Sequence, residues 1–222
     1  EGRFHDAVAL YERAHAAAAG MGSLSEQALT SNYMGNAARD VGRYQDAEHY
    51  FTRALDIWSR VGLTESIAGA HNNLANLAIS RGDAARAEHH YALALEAFET
   101  IANTAGTALA RTNLAILAIE QDRAADGVGN ASKAKALLIA SGNRMLLGLA
   151  SVVLGEAQLA AGATGLAADE FAWIVTEYTA ANHPLAIAGA LRGNGRVAIA
   201  LEKGGEAVAP LHDICYTASL RR

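Results

Sequence analysis

The chain has 222 residues, 51% hydrophobic and 18% charged, with a net charge of −5 and a pI near 5.9. That composition supports a packed core rather than a disordered chain, and it lacks the basic footprint of a nucleic-acid binder. No run approaches the roughly 18 apolar residues of a membrane span, no signal peptide opens the chain, and the single cysteine, Cys215, suits a reducing, cytoplasmic compartment.

Proline occurs only at Pro184 and Pro210, and alanine is abundant, so the chain is predicted to be all-α with about eleven helices. Residues 1–21 read as one helix, the second half of a truncated unit. Five rows of forty follow: 23–62, 63–102, 103–142, 143–182 and 183–222, each a helix, a turn and a second helix within one domain, 1–222. Laid out this way, the rows align in columns without a gap. Gly35, Ala75, Ala115, Gly155 and Gly195 form a small column; Gly42, Gly82 and Gly162 fall where a helix ends. Ala47, Ala87 and Ala167 form another, with Gly127 between. Tyr11, Phe51, Tyr91 and Phe171 form a large aromatic column, broken by Ala131. Ala14, Ala54, Ala94 and Ala134 complete the pattern. Ala47, Phe51, Ala54 and Leu55 share one helical face, so the small residues let two helices approach while the aromatic fills the space beside them.

Row 103–142 departs most, because Gly127 and Gly129 sit inside its second helix, at roughly 1–2 kcal/mol against alanine. It is expected to be the softest hairpin. In the last row Pro210 predicts a second helix that starts near 206 or bends. The chain opens on Glu1 rather than Met, and neither end shows a polar cap, so a longer parent chain is expected.

A small residue on the first helix, and alanine, aromatic, alanine on the second, resembles the tetratricopeptide repeat. The segment GRYQDAEHYFTRAL (42–55) carries the match most specifically. The forty-residue period and the Asn73-Leu74-Ala75 and Asn113-Leu114-Ala115 triplets are similar to the long variant of kinesin light chains, bacterial signalling ATPases and transcription regulators. Paired helices of HEAT type share the period but not this pattern. The resemblance implies a right-handed superhelical solenoid of antiparallel hairpins whose first helices line a concave groove. It also implies a protein- or peptide-binding role, with no cofactor.

Helical spacing then says which side chains line that groove. Row one supplies Asn32, Asn36, Arg39 and Asp40, with Tyr33 beside them; row two supplies His71, Asn72, Asn76 and Ile79, bordered by Asn73. Row three supplies Thr112, Asn113, Ile116 and Glu120; row four, Val152 and Glu156; row five, Arg192, Asn194 and Arg196. An asparagine amide offers both donor and acceptor and can pair with the backbone of an extended peptide. Asn73 and Asn113 serve either the stack of repeats or a ligand, whereas Asn32, Asn36, Asn72 and Asn76 are read as contacts. Arg192 and Arg196, one turn apart, are placed to take an acidic residue. The lysines and arginine of the chaperone-binding carboxylate clamp are missing: the corresponding places hold Asn32, Leu109 and Asn113.

Nothing in the sequence assembles catalytic or metal chemistry. No HExxH or GxxxxGK[ST] motif occurs, and no two histidines lie four apart. His49, His89 and His90 are expected on a solvated surface, as are Glu48 and the Asp169-Glu170 pair. Cys215 shares a core column with Leu55, Leu95 and Val175 and reads as a buried, inert thiol. Gly193-Asn194-Gly195 reads as a packing element. The function expected is a non-catalytic binding scaffold, part of a larger bacterial signalling or regulatory protein. The alternatives are a self-associating solenoid joined through exposed terminal helices, and a sensor of peptide signals.

Overall fold

The computed structural model describes residues 2–179 and 184–202. Among these there are ten α-helices and no strand. They are α1 (Gly2–Gly20), α2 (Leu24–Asp40), α3 (Tyr44–Val61), α4 (Thr64–Ser80), α5 (Ala84–Thr100), α6 (Thr104–Glu120), α7 (Ala124–Ser141), α8 (Arg144–Ala160), α9 (Thr164–Thr179) and α10 (Pro184–Glu202). The expectations for Pro210, Cys215 and an eleventh helix lie outside the described residues.

A helix ends every twenty residues by the same device. The residues at 22, 42, 62, 82, 142 and 162 are glycines with positive φ, and Ala102 and Asp122 adopt the same left-handed conformation at φ 53° and 57°. After each, the next N–H reaches back to a carbonyl five residues earlier, as from Arg43 to Ala38 (2.8 Å), Asp83 to Ala78 (2.9 Å) and Arg123 to Ala118 (2.8 Å). These bonds satisfy carbonyls that a helix end leaves open. Side-chain caps start some of the next helices: Asp83 accepts from the Arg86 N–H (3.0 Å) and Asn143 from the Leu146 N–H (3.2 Å).

The helices form two compact units, Glu1–Asn103 and Thr104–Arg222. In the first, α2 pairs with α3 and α4 with α5, and α1 packs on α2. Phe51, fully buried, sits among Ala38, Ala47, Leu74 and Leu77. Ile57 and Trp58 fill a second cluster with Ala28, Ala54 and Ala70. A Cβ on Gly35 would come within 2.6 Å of the Phe51 ring, so the small column exists to admit the aromatic one.

In the second unit, α6 pairs with α7, α8 with α9, and α9 with α10. Phe171 is fully buried between two glycines: a Cβ on Gly155 would lie 2.5 Å from its ring and one on Gly193 2.3 Å. Of the Gly193-Asn194-Gly195 stretch, it is Gly193 that makes this close approach; a Cβ on Gly195 would meet nothing described within 4 Å. The α7 helix is continuous through Gly127 and Gly129. Gly127 is buried, with Ile119 at 3.1 Å and Ala115 and Ala157 at 3.4 Å from where a Cβ would stand. Ala131 replaces the aromatic, and Val153 and Leu154 pack beside it.

Candidate functional site

In the first unit the face shared by α2 and α4 is polar and half-buried. Asn32, Asn36, Arg39, His71, Asn72 and Asn76 all lie between core and surface. Asn73 Nδ2 donates to Asn32 Oδ1 at 2.8 Å, joining one hairpin to the next. Asn32 therefore serves the stack together with Asn73. Within the second hairpin the Tyr91 hydroxyl donates to Asn76 Oδ1 at 2.5 Å, which gives Asn76 an internal partner. The Arg39 guanidinium contacts Asp40 at 3.3 Å. Tyr33 is exposed and stacks on Tyr11 with ring centroids 5.7 Å apart.

His71 and His90 form the most unexpected feature of this unit. Antiparallel pairing sets α4 position 71 opposite α5 position 90, and the two Nδ1 atoms stand 3.2 Å apart. The rings lie 28° from parallel. His90 was expected on a solvated face, but it is half-buried. Burial, then the neighbouring His71, Arg86 and His89, push it down to about 4, against a smaller upward pull from Glu48. Burial also lowers His71, with a further contribution from His89. His49 and His89 are exposed, as expected.

Glu48, also read as solvated, is half-buried and receives both Arg81 and Arg86. The Arg86 hydrogen bond holds its carboxyl below the usual range despite burial. Beside these arginines a shallow depression of about 200 Å³ has Leu74, Leu77 and Ala78 as its floor. At the other end of the unit, His15 accepts from Arg53 through Nε2 (2.6 Å) while Nδ1 faces the Gln27 carbonyl (3.2 Å). This fixes the neutral tautomer with Nδ1–H. Burial and the Arg53 charge lower its pKa.

The corresponding face of the second unit is more deeply buried, with Ile116, Glu120, Val152 and Asn194 half-buried. Thr112, Asn113, Glu156 and Arg196 are all buried. Thr112 bonds back to the Ala108 carbonyl at 2.8 Å, a bond within its own helix. Arg196 donates to Glu156, each with a tenth or less of its side chain exposed. The acidic residue expected beside Arg196 thus comes from this chain. Of the residues assigned to this face, Arg192 remains exposed. Glu170, read as solvated, is buried and accepts from Lys135 Nζ at 2.6 and 2.7 Å, with the ammonium 4.4 Å from the Trp173 ring centre.

Among the described residues, no helix is long and apolar enough to cross a membrane, and no three His, Cys, Asp or Glu side chains converge as a metal site. The arrangement offers hydrogen-bonding amides and a few charges, which is the equipment of recognition.

Residues 26–100 match the family model for the tetratricopeptide repeat. Among solved structures, the chain is similar to aspartyl phosphate phosphatase F from Bacillus subtilis, with a TM-score of 0.78 and 12% identity over 88% of this chain and 51% of that one. It is also similar to BtubC (BKLC) from P. vanneervenii, with a TM-score of 0.65 and 23% identity over 95% of this chain and 78% of that one. The chain spans about half the length of the phosphatase. At these identities the likeness is one of fold. No curated protein matches the chain. The family supports a protein-interaction scaffold, in general a non-catalytic one. Residues 26–100 are tetratricopeptide repeats, and the fold of the chain is that of tetratricopeptide-type helical hairpins.

Proposed function

We propose that the first unit binds an extended segment of a partner protein along its α2/α4 face. The observation that carries this is the half-buried amide stripe, with Asn36 and Asn72 as principal contacts. Asn32 and Asn76, held by Asn73 and Tyr91, frame them in fixed orientations, and Arg39 and His71 flank the stripe. Amides positioned in this way can accept from a peptide N–H and donate to its carbonyl whatever the side chains are. In the second unit, exposed Arg192 would take an acidic side chain, while Thr112, Asn113, Glu156 and Arg196 shape the face from beneath. The setting we infer is a cytoplasmic regulatory protein of a bacterium, non-catalytic in this region, with protein rather than nucleic acid or membrane as its partner.

The test is selection of peptides from a displayed library on the wild type, followed by binding to an Asn36→Ala/Asn72→Ala variant. Loss of one charge-free hydrogen bond at each position predicts about tenfold to hundredfold weaker binding with an unchanged melting curve. Equal affinity of wild type and variant would remove the amide stripe from the site. Selected peptides that contact only Arg192 would move the site to the second unit.

A further inference from the structure

We propose that His71 and His90 form a two-histidine site for a borderline divalent transition-metal ion, of the class of zinc, copper(II) and nickel(II). The observation is the 3.2 Å separation of their Nδ1 atoms. Two imidazole nitrogens bound tetrahedrally at 2.0–2.1 Å stand about 3.3–3.4 Å apart, so the pair already has the bite of a chelate. The ligands come from the two helices of one hairpin, α4 and α5, which pack on each other and are joined by the Tyr91–Asn76 hydrogen bond, and this fixes their approach. Little ordering is left to accompany metal binding, which is the condition for a site of few ligands to hold an ion.

The chemistry of the donors agrees. An imidazole ligates only when neutral. Burial and the positive neighbours keep His90 neutral well below pH 7, and His71 is lowered in the same direction. In the metal-free pair one Nδ1–H must donate to the other Nδ1. Metal replaces that shared hydrogen when its owner shifts to the Nε2–H tautomer, with no net release of a proton. Among the described residues no third His, Cys, Asp or Glu converges here, so water fills the remaining positions. The half-exposure of both rings leaves room for it. His89 and Arg86 on α5 and Glu48 on α3 are the charged or titratable groups that act on the pair. Glu48 is held by Arg81 and Arg86, so it supplies field and not a ligand.

The pair belongs to this hairpin alone among those with both positions described. The equivalent positions are Ser31 and Tyr50 in the hairpin before, then Arg111 and Asn130, then Ser151 and Glu170. A bound ion would clamp α4 to α5 directly beside Asn72, on the face proposed to bind peptide.

Zinc is titrated into the purified chain by calorimetry at neutral pH, with His71→Gln, His90→Gln and His49→Gln variants in parallel. One equivalent is expected for the wild type and for His49→Gln, with about tenfold or greater loss in each of the other two. As pH falls toward 4 the wild-type affinity falls, as protons compete for the ligands. Absence of zinc binding by the wild type, or wild-type affinity in His71→Gln or His90→Gln, overturns the proposal. Should a variant fail to fold, histidine ¹⁵N spectra of the wild type decide. Zinc must move two imidazole Nδ1 resonances together, and a spectrum without that change sinks the idea.

Discussion

The two units share one forty-residue register but use their first helices in opposite ways. In the first, α2 and α4 meet only sparingly, and what lies between them is an amide–amide bond from Asn73 to Asn32. In the second, α6 packs on α8 and α8 on α10 much more closely. Between α8 and α10 glycine makes that possible: a Cβ on Gly148 would stand 3.0 Å from Ala186, and one on Gly189 3.0 Å from Val152. Close approach strips water from the face, so the polar groups left there must satisfy one another, as Glu156 and Arg196 do. An open polar face and a closed paired one thus come from the same repeat by changing which positions are small.

The sharpest way to break this contrast is to remove one member of the buried pair. Glu156→Ala leaves Arg196 charged and uncompensated and is expected to cost about 3–5 kcal/mol. Replacing both with apolar residues of similar size, Glu156→Leu with Arg196→Met, should restore most of that loss. Each unit has its own tryptophan, Trp58 in α3 and Trp173 in α9, and the chain has two in all. Single-tryptophan backgrounds therefore report urea unfolding unit by unit. If the loss registers equally at Trp58, the effect does not belong to the second unit.

Next in size is Gly155→Ala. The added methyl would meet the Phe171 ring at 2.5 Å, and α10 packs so closely at Gly193 that a Cβ there would stand 2.3 Å from the same ring, which leaves the ring little room to retreat. Overpacking of this kind costs about 1–3 kcal/mol, more than the roughly 0.5–1 kcal/mol that alanine gains in a helix. Phe51 is approached this closely by one glycine, Gly35, so Gly35→Ala should cost less. A larger loss at Gly35 than at Gly155, read from urea midpoints, would contradict the account of how the second unit closes.

These examples also separate what was legible from what was not. The period, the turn every twenty residues and the small-against-aromatic columns were readable because they are local helical spacing repeated many times. The stripe on the first helices was readable for the same reason. Its burial was not, since Glu156 and Asn36 hold the same place in the forty-residue row and differ in how closely the next first helix approaches. Cross-hairpin partners were hidden too. His71–His90 and Lys135–Glu170 join residues 19 and 35 positions apart, beyond the reach of any single-helix pattern. The solvated reading of Glu48, His90 and Glu170 failed because position on a helix says which way a side chain leaves and not what arrives opposite.

Acid should distinguish the units again. His15, His71 and His90, all in the first, have pKa values lowered by burial. The unfolded chain therefore takes up protons more readily than the folded one, so stability present above pH 6.5 is lost as pH falls toward 4. Discounted for their partial exposure, the effect is about 1–2 kcal/mol. The Trp58 transition should shift between pH 7 and 4.5 well before that of Trp173, and His90→Gln should flatten the difference. A Trp58 midpoint independent of pH would show that these histidines titrate alike in both states.

The smallest effects lie in the backbone, and they run in opposite directions in the two units. Ala102 ends α5 in the left-handed conformation that glycine adopts at 22, 42, 62 and 82. A β-carbon there crowds the carbonyl, at a cost of about 1 kcal/mol, so Ala102→Gly should stabilise the first unit by up to that amount. Asp122 occupies the same conformation in the second unit, but its short polar side chain tolerates it, and Asp122→Gly should gain less. Gly129 poses the converse problem: it lies inside α7 at helical geometry with nothing within 4 Å of where its Cβ would stand. Gly129→Ala should therefore gain about 0.5–1 kcal/mol, whereas Gly127→Ala, 3.1 Å from Ile119, should gain nothing or lose. Equal gains at 127 and 129 would mean that α7 does not hold the close packing on α6 and α8 by which the second unit shuts its polar face.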